Sequence, residues 1–189
     1  MDDREIQQRF DDSAQTLHKT RELAAAIRQA AGAIIDCCRA GAGVLIFGNG
    51  GSAADAQHFA GELVGRFLRE RRPLRAQALG TDASIATAVS NDYGFEQVFA
   101  RQVRAMGSHG DVAIALSTSG NSANVIEALK AAREIGMTTI ALTGRGGGKC
   151  AALADVLLAV PASHTPRIQE AHCVIYHVLC EIVENALAQ

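Results

Sequence analysis

The chain has 189 residues, 48% of them hydrophobic, and 18 Lys and Arg against 20 Asp and Glu give a net charge of −2. That length and apolar content suit one globular domain with a full core, and the near-neutral balance argues against a dedicated nucleic-acid binder. No apolar run reaches membrane-spanning length and the opening MDDREIQQRF is too polar for a signal peptide, so a cytoplasmic protein with no membrane partner is expected.

Arg4 to Ala40 reads as helix: it is Ala-rich, Leu17, Leu23, Ile27, Ile34 and Ile35 fall near helical spacing, and neither Pro nor Gly occurs before Gly32. This stretch precedes the first strand, so residues 1–40 are expected to form a helix pair that buries its apolar stripe between subunits. GVLIF (Gly43–Phe47) is the first strand, and Ser52–Arg66 is the helix after it. RAQAL (Arg75–Leu79) is the second strand. It leads to a helix over Asp82–Ser90 capped by Thr81 or Asp82, a loop at Ser90–Tyr93, and a further helix over Gly94–Met106. DVAIAL (Asp111–Leu116) is the third strand and Ser122–Ile135 its helix. TTIALTG (Thr138–Gly144) is the fourth, followed by the glycine loop Gly144–Gly148, read as a flexible turn. VLLAV (Val156–Val160) is the fifth, and Arg167–Leu187 closes the chain as a helix. Short apolar strands alternating with helices predict an α/β fold: a doubly wound, five-stranded parallel sheet in an α-β-α sandwich. It would occupy residues 41–189, with 1–40 as an N-terminal helical extension. Cys37, Cys38, Cys150, Cys173 and Cys180 show no CxxC spacing and read as small buried hydrophobes.

Ligands of such folds bind beyond the carboxyl ends of the strands, where the strand order reverses. Three loops there carry chemistry: GNGGS (Gly48–Ser52), SNDYG (Ser90–Gly94) and STSGNS (Ser117–Ser122). In the last, Ser117, Thr118, Ser119 and Ser122 place four hydroxyls in six positions ahead of a helix. One hydroxyl would cap the helix; four, with the free N–H groups of its first turn, make a phosphate site that needs no lysine. GNGGS is neither a Walker loop nor a GxGxxG fingerprint, which removes the best sequence support for ATP or NAD chemistry.

His58 and Glu62 lie four residues apart on one face of the helix that leaves GNGGS. Gln169 and His177 stand in the last helix among apolar neighbours. Together these four side chains supply two nitrogens and two oxygens, a donor set suited to a divalent metal such as zinc. Gln169 and His177 are eight residues apart, roughly 12 Å of helix rise and about 80° of rotation, so their side chains would have to lean together. His172, three residues from Gln169, is a rival ligand that spacing leaves open.

GNGGSAADAQHFAGELVGRF, SNDYGFEQVFARQV, STSGNSANVIEALKAAREIGM and RIQEAHCVIYH, in this order over nearly the whole chain, resemble the phosphoheptose (sedoheptulose 7-phosphate) isomerases, a family of the SIS (sugar isomerase) fold. The resemblance implies a cytoplasmic homotetramer with one zinc ion per subunit. It also implies conversion of sedoheptulose 7-phosphate to D-glycero-D-manno-heptose 7-phosphate, the first step toward the nucleotide-activated heptose of surface glycans such as lipopolysaccharide. It assigns Asn49, Gly50, Gly51 and Ser52 to the substrate pocket, Asn91 and Asp92 to sugar contact, and Ser117, Thr118, Ser119 and Ser122 to the phosphate. His58, Glu62, Gln169 and His177 match the metal set, with Glu62 and Gln169 also touching substrate. Glu62 falls at the position of the catalytic base and His177 at that of the acid. Pro166 departs from the acidic residue that some members carry before RIQ.

Isomerisation through an enediol needs a base at carbon, a proton carrier at oxygen and stabilisation of the oxyanion, roles that Glu62, His177 and a metal would divide. A rival reading is a non-catalytic SIS protein that binds the bacterial replication initiator; that class shares the GN-G-SAA-AQHFA and RIQE patterns but lacks the Glu and the final His. A second is the sugar-phosphate-sensing module of a transcription factor, disfavoured because no helix-turn-helix extension is present.

Overall fold

The computed structural model describes residues 1–188. Strands β1 (Val44–Gly48), β2 (Ala76–Ala78), β3 (Val112–Ser117), β4 (Thr138–Thr143) and β5 (Val156–Ala159) form one all-parallel sheet in the order β2-β1-β3-β4-β5. The order reverses between β1 and β3. Gly48 pairs with Leu116 across that boundary, so the loops leaving β1 and β3 emerge side by side. This is the switch point at which parallel sheets of this kind receive ligands.

Successive strand residues alternate between two apolar cores. Val44, Ile46, Ile114, Leu116, Ile140 and Leu142 face helices α2 (Ala24–Arg39), α3 (Gly51–Val64) and α7 (Thr165–Leu187). Leu45, Phe47, Ala113, Ala115 and Ala141 face α5 (Val98–Met106) and α6 (Ala123–Ile135). Burial on both faces is why the strands read as unbroken apolar runs. Shortening a central side chain such as Leu142, fully buried, to Ala should cost about 2–5 kcal/mol.

The predicted fold class is the observed one, and three elements differ in detail. The N-terminal stretch divides into α1 (Asp3–Thr20), a 3-10 turn at Arg21–Leu23, and α2. α1 begins in a capping box between Asp2 and Glu5. α2 buries Ile27, Ala30, Ala31 and Ile34 in the same core as the sheet, and so forms part of a sandwich layer. α1 rests on α7 instead, where Ser13 donates to Glu170 at 2.7 Å and Arg167 donates to the Arg9 carbonyl. α4 (Ala83–Tyr93), capped by Asp82, runs on through the expected Ser90–Tyr93 loop and stops only at Gly94, whose φ of 89° no side-chain-bearing residue adopts readily. Phe95–Gln97 is then a 3-10 turn ahead of α5 rather than part of one continuous helix. Cys37, Cys38, Cys150 and Cys180 are buried and Cys173 half-buried, all as free thiols.

Candidate active site

At the switch point two turns are joined by an amide pair. The side chains of Asn49 and Asn124 exchange two hydrogen bonds, each 2.8 Å, which tie the β1 turn to the first turn of α6. Ser117 and Ser122 share a hydroxyl contact at 3.2 Å. Ser122 occupies the N-cap of α6, yet its hydroxyl makes no capping bond, so the N–H groups of that first turn stay free for an anion. The Ser119 hydroxyl accepts from the Asn121 N–H at 3.1 Å, shaping the turn.

The Gly144–Gly148 loop is a packed support rather than the flexible turn expected. Gly120, at φ 64°, lies so close to it that a Cβ would collide with the Gly147 carbonyl. The Cys150 N–H donates to the Gly120 carbonyl at 2.9 Å, and the Lys149 N–H to the Asn121 side chain at 3.1 Å. The serine turn is thus held from behind by backbone.

On the adjoining side, α3 and α7 bring three of the four expected metal ligands together. One ligand atom each of His58, Glu62 and His177 lies within 4.8 Å of the others. His58 Nε2 is 3.1 Å from a Glu62 oxygen, and the imidazoles of His58 and His177 meet edge to face at 5.1 Å. Tyr176 orients the first ring: its hydroxyl is 3.0 Å from His58 Nδ1 and donates to Asp55 at 3.4 Å. With its hydrogen given to Asp55, the hydroxyl oxygen accepts from His58 Nδ1–H and leaves Nε2 a lone pair. A lone pair facing a carboxylate oxygen needs a positive charge between them, a proton or a metal ion, and two imidazoles with one carboxylate are a fitting donor set for zinc. Burial raises the Asp55 carboxyl above its ordinary range, against the opposing effects of Tyr176 and His58. Burial, then the neighbouring Cys173 and Asp55, pushes the Tyr176 hydroxyl upward too, so it stays protonated and able to donate.

Gln169, the fourth, lies against the glycine turn. Its amide covers Gly51, where a Cβ would sit 2.5 Å from Nε2, in the first turn of α3 and ~10 Å of helix rise before His58. His172 turns the other way: it is fully buried and donates through Nε2 to the Thr143 carbonyl at 3.1 Å. It is removed from the ligand question. Ser52 is 4% exposed in the first turn of α3. Asn91 and Asp92 are exposed at the end of α4, where the Asn91 amide donates to Asp92 at 2.8 Å. No hydrogen bond among the described residues joins them to the serine turn or to the cluster. Pro166 sits in the first turn of α7, where a missing N–H costs nothing. Asn124, Tyr176 and Asp55 were not anticipated. Their contacts join residues 75, 118 and 121 positions apart in sequence, beyond the reach of any local pattern.

A SIS domain family model matches residues 8–144. Phosphoheptose isomerase of Rhodospirillum rubrum is 56% identical over 166 residues, 88% of each chain. That of Aquifex aeolicus is 59% identical over 159 residues, 84% of this chain and 83% of its own. The solved structure of phosphoheptose isomerase from Neisseria gonorrhoeae superposes with a TM-score of 0.92 at 48% identity, covering 96% of this chain and 98% of that one. With more than half of the aligned residues identical over nearly nine-tenths of both chains, this protein belongs to the phosphoheptose isomerase family of SIS-domain proteins.

Proposed function

We propose that the protein is an aldose–ketose isomerase that converts sedoheptulose 7-phosphate to D-glycero-D-manno-heptose 7-phosphate through an enediol. The observation that carries this is the cluster of His58 and Glu62, on the helix whose first turn opens at the glycine loop, with His177 of α7. The hydroxyls of Ser117, Thr118, Ser119 and Ser122, with the free N–H groups of α6, hold the 7-phosphate. Asn49, Gly50, Gly51 and Ser52 line the approach to the reacting end, and the Gln169 amide lies against Gly51 in that turn. Asn91 and Asp92 are assigned to sugar hydroxyls on family resemblance alone. Binding the remote phosphate supplies energy that positions C1 and C2.

Glu62 takes the C1 hydrogen as a proton and returns it to C2. His177, which can donate and accept through its ring nitrogens, moves the other proton from O1 to O2. His58, Glu62 and His177, with Gln169, would hold a divalent ion, most simply zinc at one per subunit. When bound, that ion supplies Lewis-acid polarisation of the substrate oxygens. No helix among the described residues is long and apolar enough to cross a membrane, and a cytoplasmic location fits the substrate. α1 is proposed to join subunits into a homotetramer. A non-catalytic binding role is disfavoured because Glu62 and His177, the two groups such relatives lack, are present and brought together.

In D₂O the intact protein should interconvert ketose and aldose while exchanging the transferred carbon-bound hydrogen. Glu62→Gln should lose both turnover and exchange by at least ~10²-fold with zinc resupplied, the low end of general-base contributions. Sugar-phosphate binding should persist. Full activity in that variant would overturn the assignment of the base.

A further inference from the structure

We propose that the buried pair Arg71 and Glu184 is a positioning device for Glu62 and His177, acting through the segment Gly65–Arg72 and the ring of Phe67. The inference rests on the isomerase reading for the roles of those two side chains. Its physical basis is independent of that reading.

After α3 ends at Val64, the chain runs without regular structure to β2, leaving consecutive backbone groups that need partners. Glu184, on α7, accepts the N–H groups of Phe67, Leu68 and Arg69 at 2.8, 2.6 and 2.8 Å. Arg71 donates to the carbonyls of Leu63, Gly65 and Arg72 at 2.9, 3.2 and 3.1 Å, and to that of Glu62 itself at 2.7 Å. The Leu63 and Glu62 carbonyls belong to the last turn of α3, which has no intrahelical donors left for them. The two side chains, each 2% exposed, meet at 3.5 Å. Burial opposes ionisation of Glu184, but the three N–H groups and Arg71 outweigh it and hold its carboxyl below the usual range.

The segment so fixed lays the Phe67 ring over the His177 imidazole, with centroids 5.6 Å apart and planes 29° apart. One end of the device therefore grips the backbone of Glu62, and the other covers the face of His177. Stability alone does not require two buried charges, since well-packed apolar residues in place of such a pair are often as stable. Apolar packing could not bond three consecutive N–H groups and four carbonyls, and those bonds set where Phe67 lies.

The test compares wild type, Glu184→Gln and Phe67→Ala as full chains. It measures thermal unfolding, kcat and KM for sedoheptulose 7-phosphate with zinc resupplied, and zinc affinity by competition with a chromophoric chelator. Glu184→Gln should unfold cooperatively yet lose about tenfold or more in kcat, with KM within about twofold because the serine turn is untouched. Its zinc affinity should fall about tenfold, as when other supports of metal ligands are removed. Phe67→Ala keeps both ionic partners, so it decides the matter should Glu184→Gln fail to fold; it should shift kcat and zinc affinity in the same direction. Wild-type zinc affinity and kcat in folded Phe67→Ala would overturn the proposal, as would a Glu184→Gln protein changed only in melting temperature. A wild-type protein with no turnover of this ketose would count against the isomerase reading, and the zinc measurement would still judge the positioning pair.

Discussion

Burial keeps His172 a neutral imidazole. Its Nε2–H is spent on the Thr143 carbonyl, Nδ1 is buried without a partner, and desolvation brings its pKa from 6.5 down to about 4 despite the opposing Thr143 bond. The unfolded chain protonates this ring below its ordinary pKa, whereas the folded chain does so only near 4. The contribution of the neutral ring is therefore complete above about pH 6.5 and is lost as pH falls toward 4, about 3 kcal/mol in all. Urea unfolding at pH 7 and pH 4.5 should show that loss in the wild type. His172→Gln, which keeps a donor for Thr143 and cannot titrate, should be less stable at pH 7 and show a shallower pH dependence. Equal slopes for the two proteins would remove His172 as its source. His177, five residues along the same helix, faces α3 and serves the cluster instead.

At the scale of elements, two glycines beside the site should respond in opposite ways to the same added methyl group. Gly120 has a positive φ and backbone of Gly147 and Gly148 against its Cα, so Ala there is strained and meets atoms that cannot swing away. Gly120→Ala should lose at least about 1–2 kcal/mol of stability. By displacing the serine turn it should also raise KM for the sugar phosphate about tenfold, the value of one charge-assisted hydrogen bond. Gly51 lies in α3 at an ordinary φ, and the nearest atoms to an added Cβ are the end of the flexible Gln169 side chain. Gly51→Ala should keep or gain up to about 1 kcal/mol from helix propensity. It should still lose activity, because the Gln169 amide must move. Chemical denaturation and steady-state kinetics on the two variants separate these outcomes; normal turnover in Gly51→Ala would place Gln169 outside the chemistry.

For the whole molecule, α1 is a long helix with little cover of its own. Only Thr20 of its residues is buried, and Ile6 and Phe10, one turn apart, are 44% and 74% exposed. Further copies of the chain would cover such a stripe. Phe10→Glu should therefore lower the solution mass from that of the proposed tetramer toward smaller species in light scattering, with helix content unchanged. A wild-type monomer at micromolar concentration would sink the tetramer, and an unchanged mass in the variant would move the interface away from Phe10.

Strand positions, the glycine and serine turns and the i, i+4 pair of His58 and Glu62 were legible in the chain because each follows from local periodicity or turn chemistry. Even there, Asn91 and Asp92 read as loop residues. A helix already formed keeps going until a residue such as Gly94 stops it, so they close α4 instead. The choice between His172 and His177 was not legible. Both belong to one helical pattern, and only the docking of α7 on the sheet and α3 decides which ring is buried under Thr143 and which meets His58. The same is true of α2, whose apolar stripe could have faced another subunit and faces the sheet. Tyr176, Asn124 and the Arg71–Glu184 pair exist as functional or supporting groups only through contacts between distant segments. Local sequence determines which way a short piece of chain can bend and which side chains share its face; the tertiary structure decides what those faces meet, because burial and pairing are properties of two segments at once.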